Sequence, residues 1–459
     1  MFNNNNNKPR FALLAFFCFS ILIGCKKYLE AKQDQSLVIL QTVGDLQSIL
    51  DDYFFINVNW PAAGEVSADD YYLLYSSWQS RNEFIQRTYL WASERLFAPG
   101  GNNEWSTCYR QAYRANIVLS EIDRIKREPG DQAAWQNAKG SALFLRGISF
   151  AQAAWIWSLA YDKNTATIDK GIPLRLDPDF NLTSTRSNVA ETYEQITSDL
   201  KRAADLLPVT PVHVLRPSRS AAYGWLARVY LSMGQYDSAF VYADNYLQLR
   251  NSLMDFNQLN ASSASPIGTY NEEVIYHSTI FRTVTIATSL IDSVLYQSYN
   301  DNDLRKTVYF RSNGNGTYRF KGSYNGTGSP GEWFNGIATD EMYLIRAECY
   351  ARKGNKDAAL YDLNTLMIKR WKNNGTWTAF TASNAAEALA KVLTERRKEL
   401  TQRGLRWMDI KRLNKEGASI VLRRILNGET YTLQPNDPKY ALPIPEDVIA
   451  ITRMPQNPR

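Results

Sequence analysis

Residues 340–371 read DEMYLIRAECYARKGNKDAALYDLNTLMIKRW. Apolar residues recur at helical spacing on both sides of Gly354-Asn355, a pair typical of a helix end followed by a tight turn. The apolar positions are Met342, Ile345, Cys349, Leu360, Leu363 and Met367. Small residues at Ala347 and Ala359 would let two helix backbones approach closely. The stretch therefore predicts an antiparallel helical hairpin.

The same pattern occurs earlier, in residues 218–249. Four positions repeat at identical spacing in the two stretches: Ala227, Tyr230, Gly234 and Ala239 match Ala347, Tyr350, Gly354 and Ala359. A repeated helical pair of about 34 residues is typical of tetratricopeptide-type units, which bury their apolar faces only by stacking. Residues 105–161 form a weaker match. We predict a mostly α-helical fold with tetratricopeptide-like pairs in a superhelical scaffold, long irregular loops and a few short strands.

Charge and length exclude some functions. The 459 residues include 52 Lys and Arg against 46 Asp and Glu, a net charge of +6. Removal of a signal containing Lys8 and Arg10 leaves 50 basic against 46 acidic residues, or +4, without a strongly basic block. Nucleic acid is therefore not an expected partner.

The N-terminus predicts export and a lipid anchor. Residues 1–24 combine Lys8 and Arg10 with a short apolar run, which is typical of a signal peptide and too short to span a membrane. Leu22-Ile23-Gly24-Cys25 resembles the bacterial lipobox, in which the Cys thiol is lipidated. An ordinary secretory signal or an uncleaved anchor is the alternative interpretation.

The motifs for catalysis and metal binding are weak. Gly326 to Gly331 matches GxGxxG without the strand and helix that a dinucleotide site needs. His213 and His277 lie far apart, and Cys108 and Cys349 fall inside apolar helical patterns, where we expect buried thiols. We predict no catalytic residue, no metal and no cofactor.

Two polar segments rich in aromatic residues, 60–105 and 312–336, interrupt the helical pattern. Long loops of this kind are usually functional, and aromatic rings stack on sugars and on peptides. The alternative interpretation is that these rings cap the helical layers. The two segments supply rings for stacking and groups for hydrogen bonds to hydroxyls. The predicted ligand-binding residues are Trp78, Trp333 and Tyr324 for stacking, and Asp70, Arg81 and Asn82 for hydrogen bonds. Replacing Trp78 or Trp333 by Ala is expected to weaken binding with little change in melting temperature.

Charged residues concentrate near the C-terminus, in ERRKEL at 395–400 and RGLRWMDIKR at 403–412. Glu399 and Arg403 are spaced for an i,i+4 ion pair, and Gly404 suits the left-handed residue after a helix end. We interpret these charges as architectural ion pairs that join the last helices.

These features together resemble the SusD/RagB family of outer-membrane nutrient-binding lipoproteins. The matching segments run in family order across nearly the whole mature chain. They are the lipobox at Cys25, GIPL at 171–174, the 218–249 hairpin, Leu295-Tyr296 with DLR at 303–305, MYLIRAE at 342–348, the 395–412 block, LPIP at 442–445 and the QNP ending at 456–458.

The resemblance implies a surface lipoprotein that binds a glycan, or a peptide in some members. It implies a SusC-like TonB-dependent transporter as partner, with this protein as its lid and no chemistry on the ligand. The implied location is the outer membrane, facing the cell exterior. The corresponding regions are a signal peptide at 1–24, an N-terminal region at 25–265 and a C-terminal region at 266–459.

Two other functions remain open from the sequence. A tetratricopeptide-type scaffold would bind protein partners on its helical face and ignore sugars. A membrane-anchored glycoside hydrolase would turn over its ligand, although no acid and nucleophile pair stands out among the scattered carboxylates.

Overall fold

Helices dominate the chain, which the computed structural model describes over residues 40–101, 103–280, 287–329 and 331–459. In chain order the helices of these residues are α1 Val43–Leu50, α2 Tyr53–Ile56, α3 Ala63–Ser67, α4 Tyr75–Gln79, α5 Glu83–Tyr89, α6 Glu104–Glu121, α7 Gln132–Trp157, α8 Val189–Leu206, α9 Arg219–Ser232, α10 Tyr236–Leu249, α11 Ser293–Gln297, α12 Arg305–Val308, α13 Thr339–Arg352, α14 Lys356–Met367, α15 Ala385–Glu399, α16 Arg406–Lys415 and α17 Glu446–Thr452. The predicted mostly α-helical fold is confirmed.

The strands are short and form two-stranded antiparallel sheets. They are β1 Tyr71–Tyr72, β2 Lys170–Pro173, β3 Arg186–Asn188, β4 Val274–Tyr276, β5 Leu290–Ile291, β6 Phe310–Ser312, β7 Tyr318–Phe320, β8 Ile337–Ala338, β9 Leu422–Leu426 and β10 Glu429–Leu433. The pairs are β1 with β5, β2 with β3, β4 with β8, β6 with β7 and β9 with β10. Two of them, β1–β5 and β4–β8, join segments that lie far apart in the sequence.

Both predicted helical hairpins are present, as α9–α10 and α13–α14. Gly234 and Gly354 end the first helix of each pair with φ of 66° and 83°, a left-handed conformation that glycine adopts without steric cost. The Gln235 amide donates to the Tyr230 carbonyl at 3.0 Å, and the equivalent bond in the second turn spans 2.9 Å. The small residues at the crossing points are fully buried: Ala227, Ala239, Ala347 and Ala359.

The helical pairs continue into one stack. Helix α6 packs on α7, α7 on α8, α8 on α9 and α9 on α10, and α10 then packs on α13 of the second hairpin. Helix α15 covers both helices of that hairpin. The weaker match at residues 105–161 is therefore also a packed helical pair, α6 with α7.

Buried ion pairs join the last helices to the rest of the chain, as the charged C-terminal block predicted. Arg305 and Arg370 place their guanidinium groups 2.9 Å and 2.8 Å from the two oxygens of Glu399, and all three side chains are fully buried. The predicted pair between Glu399 and Arg403 is wrong, because Arg403 instead contacts Asp340 at 2.6 Å. Tertiary contacts therefore replaced the local helical pair.

Residues 42–459 form one compact unit. Cys108 and Cys349 are buried and unpaired, as expected. Cys25 and the predicted signal at residues 1–24 lie outside the described residues. Among the described residues, no helix combines the length and the apolar character needed to cross a membrane. The boundary at residue 265 stays a prediction.

Candidate ligand-binding site

The best candidate for a ligand surface is the helix α4 and the turn that follows it. Trp78 is half-buried, and its indole N–H donates to the Gln86 carbonyl at 3.2 Å, which fixes the ring. The Tyr75 ring lies 5.8 Å from it at an interplanar angle of 28° and is 38% exposed. Trp78 also packs against a small core cluster that includes Tyr71 and Tyr89. The two rings thus form a supported aromatic shelf at the surface.

Arg81 and Asn82 lie one turn beyond Trp78. The Arg81 amide donates to the Trp78 carbonyl at 3.0 Å, and its guanidinium reaches Thr288 Oγ1 at 3.1 Å. Asn82 is exposed and caps α5, where its Oδ1 accepts the Ile85 amide at 3.0 Å. Three predicted ligand residues are therefore brought together by one short helix–turn–helix segment.

Asp70 lies inside the protein, just before β1. Its Oδ1 accepts a hydrogen bond from Arg397 Nε at 3.0 Å, and Arg406 lies 3.9 Å away. Burial raises the pKa of the Asp70 carboxyl, although the charges of Arg397 and Arg406 act in the opposite direction. With an exposure of 1%, Asp70 does not present its carboxylate to a ligand in this structure.

Tyr324 is also buried, with an exposure of 1%. Its hydroxyl donates to Glu273 Oε2 at 2.7 Å, and the Arg403 guanidinium lies 3.8 Å from its ring centroid. The Tyr324 hydroxyl already has an acceptor inside the protein, and the Arg403 cation covers the ring. The ring therefore has no free face for stacking on a ligand. Tyr324 therefore joins the core to the buried charges.

Trp333 packs inside the protein at 5% exposure. It forms a cluster with Ala62, Val66 and Ile280, and the Phe320 ring meets it edge-on at 5.2 Å. The geometry of the six predicted residues thus favours Trp78, Arg81 and Asn82 as ligand contacts. The role of each in binding stays a prediction.

A second aromatic pair, which the sequence analysis did not single out, lies near the same strands. The rings of Tyr296 and Tyr318 stack at 3.5 Å and 14°, and Lys306 lies 5.3 Å above Tyr296. Tyr318 begins β7, and β5 contacts β7 while pairing with β1. Both tyrosines are half-buried. The sequence signal was an aromatic residue after the Gly/Asn-rich turn of the β6–β7 hairpin.

Comparison with known proteins agrees with this architecture. The sequence model of the family described as starch-binding and associating with the outer membrane matches residues 27–231, and that of the SusD family matches residues 290–458. The two segments span most of the chain. The chain belongs to the SusD/RagB family. A search of curated proteins finds no match.

Solved structures share the fold. A SusD superfamily protein from Bacteroides thetaiotaomicron superposes with a TM-score of 0.72 at 20% identity, over 91% of this chain and 100% of its own. A SusD-like carbohydrate binding protein from Bacteroides vulgatus gives 0.69 at 22% identity, over 90% and 96%. A laminarin binding SusD-like protein gives 0.64 at 15%, over 90% and 97%. The helical stack is therefore the fold of this family.

Proposed function

We propose that this protein is an outer-membrane lipoprotein that binds a glycan and delivers it to a SusC-like TonB-dependent transporter, for which it acts as the lid. The observation that carries the proposal is the shelf of Trp78 and Tyr75 beside Arg81 and Asn82. Aromatic faces stack on the apolar faces of sugar rings, while guanidinium and amide groups bind hydroxyls. A rigid shelf limits the entropy lost on binding.

Family membership supports the choice of a glycan. Two of the structural relatives are described as binding carbohydrate, one of them laminarin. The ligand is passed on without chemistry in this proposal. Lipidation at Cys25 would hold the protein to the outer membrane, where it faces the cell exterior.

Calorimetry of the full chain in detergent tests the proposal. Laminarin, soluble starch, other oligosaccharides and then peptides are titrated, and the mixtures are analysed for cleavage products. We expect saturable binding of one glycan class without products. Trp78→Ala should weaken it by about threefold to tenfold, the value of one aromatic stacking contact.

Trp135→Ala is the matched control, because Trp135 is also half-buried but lies on α7 under the cations of Arg127 and Lys139. Equal affinities for Trp78→Ala and the unmodified protein would remove Trp78 from the site. Product formation would contradict the non-catalytic part of the proposal.

The predicted transporter partner is tested by co-purification from detergent-solubilised outer membranes of the native cells. A preparation that contains no TonB-dependent barrel protein would contradict the proposed partnership.

A further inference from the structure

Few of the tryptophans in this chain are accessible, which makes the accessible ones informative. Eight of the 12 are buried at 5% exposure or less: Trp60, Trp91, Trp105, Trp155, Trp157, Trp225, Trp333 and Trp407. Of the half-buried ones, Trp78 belongs to the proposed site and Trp135 is covered by two cations. Trp371 and Trp377 remain, on the surface loop between α14 and α15. Two large aromatic side chains that stay accessible side by side are a candidate ligand surface, whereas single scattered ones are not informative.

The two rings meet across a tight turn. Their centroids lie 5.6 Å apart at an interplanar angle of 64°, and residues 372–376 form the turn between them. Both line a cleft of about 330 Å³. That volume falls within the range of about 300–1,000 Å³ of small-ligand sites. Asp255, Asn257 and Lys369 also line this cleft.

Hydrogen bonds hold the cleft in place before any ligand arrives. The Trp371 indole N–H donates to Thr376 Oγ1 at 3.0 Å, and the Trp371 carbonyl accepts the Asn257 side-chain amide at 2.9 Å. Asn257 Oδ1 in turn accepts the Asn373 amide at 2.9 Å. Since these bonds fix the Trp371 ring and the floor of the cleft, little ordering entropy would be lost on binding.

Three charged side chains line the cleft, and each has a partner within the protein. The Lys369 ammonium lies 3.6 Å from Asp255 Oδ2, so these two ionic groups compensate each other, and the Lys372 ammonium donates to the Asp301 carbonyl at 2.6 Å. The Lys369 and Asp255 side chains are partly exposed, at 43% and 30%, and keep donors and acceptors for hydroxyl groups. Angled indole faces beside such groups match a ligand with apolar ring faces and hydroxyl edges.

We infer that the Trp371–Trp377 cleft is a second carbohydrate-binding site, separate from the Trp78 shelf. The inference rests on the proposed glycan-binding function and extends it, since the two sites have no residue in common. A chain with two sites would hold a long glycan at two points. The sequence signal is WKNNGTW at 371–377, two tryptophans at the ends of a polar turn.

The test is the number of sites in the full chain in detergent, measured by calorimetry with uncharged hexasaccharides of glucose, mannose, xylose and galactose. We expect two sites per chain for one of these sugars. Trp377→Ala and Trp371→Ala should each weaken one site by about threefold to tenfold and leave the other unchanged. Trp78→Ala should do the reverse.

Two variants serve as controls. Trp377→Phe keeps an aromatic face and should keep most of the affinity, which separates loss of stacking from loss of folding. Tyr361→Ala removes a 70% exposed ring from α14 and should leave both sites intact. Thermal melts of all variants accompany the titrations.

The outcomes separate this inference from the proposed function. One site that disappears in Trp78→Ala and is unaffected by Trp371→Ala or Trp377→Ala overturns the second site and leaves the proposed function standing. One site that responds only to the loop variants supports the cleft and removes Trp78. Absence of binding for every one of these hexasaccharides overturns the second site, and the titrations with laminarin and starch then decide the proposed function.

Discussion

Asp70 Oδ1 accepts a hydrogen bond from Arg397 Nε at 3.0 Å, although 327 residues separate the two in the chain. The Arg397 guanidinium also donates to the Asp69 carbonyl at 3.0 Å. Asp70 immediately precedes β1, and α4, which carries the Trp78 shelf, begins three residues after the last residue of β1. Helix α15 therefore anchors the base of the candidate ligand surface. Asp70 supports this surface through Arg397, whereas the sequence alone placed its carboxylate among the ligand contacts.

Charge reversal at Arg397 should destabilise the fold. Arg397→Glu would leave the buried Asp70 carboxylate without this partner and place a like charge beside it, at a cost of about 2–4 kcal/mol. Denaturant unfolding measures the change. Arg423→Glu on β9 is the matched control, because Arg423 is exposed, and it should change the free energy of unfolding by less than about 0.5 kcal/mol. Equal stability of the Arg397 variant and the unmodified protein would contradict the architectural role.

Alanine substitutions at Trp333 and at Trp78 should differ in their effect on stability. Burial of Trp333 corrects the expectation that its loss hardly affects the melting temperature. Trp333→Ala should lower the free energy of unfolding by about 3–5 kcal/mol, because it leaves a cavity in the core. Trp78 is only half-buried, so Trp78→Ala should lower the free energy of unfolding by about 1–2 kcal/mol. Thermal and denaturant unfolding of both variants give the comparison, and a Trp333→Ala protein as stable as Trp78→Ala would contradict it.

Glu65 should make stability depend on pH. Burial, reinforced by the charge of Asp70, raises its pKa from an ordinary value of 4.5 to about 8, even though Oε2 accepts the Gly404 amide. Between these two values the folded state binds a proton that the unfolded chain has released. Stability from this group is therefore complete below about pH 4.5 and falls as the pH rises towards 8.

Glu65→Gln removes this titration and keeps an oxygen for the Gly404 amide. From about pH 5 to 8 the variant should gain stability relative to the unmodified protein by about 3 kcal/mol. Denaturant unfolding at several pH values measures the difference. A difference that stays flat across this pH range would mean that burial does not perturb the Glu65 carboxyl.

Gly336 should not tolerate a side chain. A Cβ at this position would lie 1.9 Å from the Tyr276 carbonyl oxygen, a backbone atom that cannot move without opening the β4–β8 pair. Gly336→Ala should therefore destabilise the protein by more than about 3 kcal/mol or prevent folding. Gly268→Ala is the control, because no atom lies within 4 Å of its Cβ position. Soluble yield and melting temperature compare the two, and similar values would refute the close approach.

Local pattern was sufficient for the helical hairpins. The spacing of apolar residues, together with Gly234 and Gly354, depends on contacts within one or two turns, and α9–α10 and α13–α14 formed as predicted. The family resemblance, which rests on short motifs in order, was likewise readable from the chain and agrees with the matches at 27–231 and 290–458.

The candidate site could be predicted only in part. Trp78, Arg81 and Asn82 are within five residues of each other, so one local segment brings them together. Tyr324 and Trp333 lie in an aromatic and polar segment that looks like a ligand loop, yet it folds inward, because Glu273, Arg403 and the cluster around Ile280 meet it there. Composition does not reveal those distant partners.

By itself the sequence determined the helical class, the two repeated hairpins, the buried thiols at Cys108 and Cys349, and the architectural use of the C-terminal charges. These properties follow from periodicity, turn chemistry and charge density, all of which are local. Only the tertiary structure decided which charges pair, which of the 12 tryptophans stay accessible and whether Asp70 faces a ligand or Arg397. Burial and ion pairing depend on residues that are distant in the sequence. Their contributions to the free energy of folding arise only when the chain folds and brings those residues into contact.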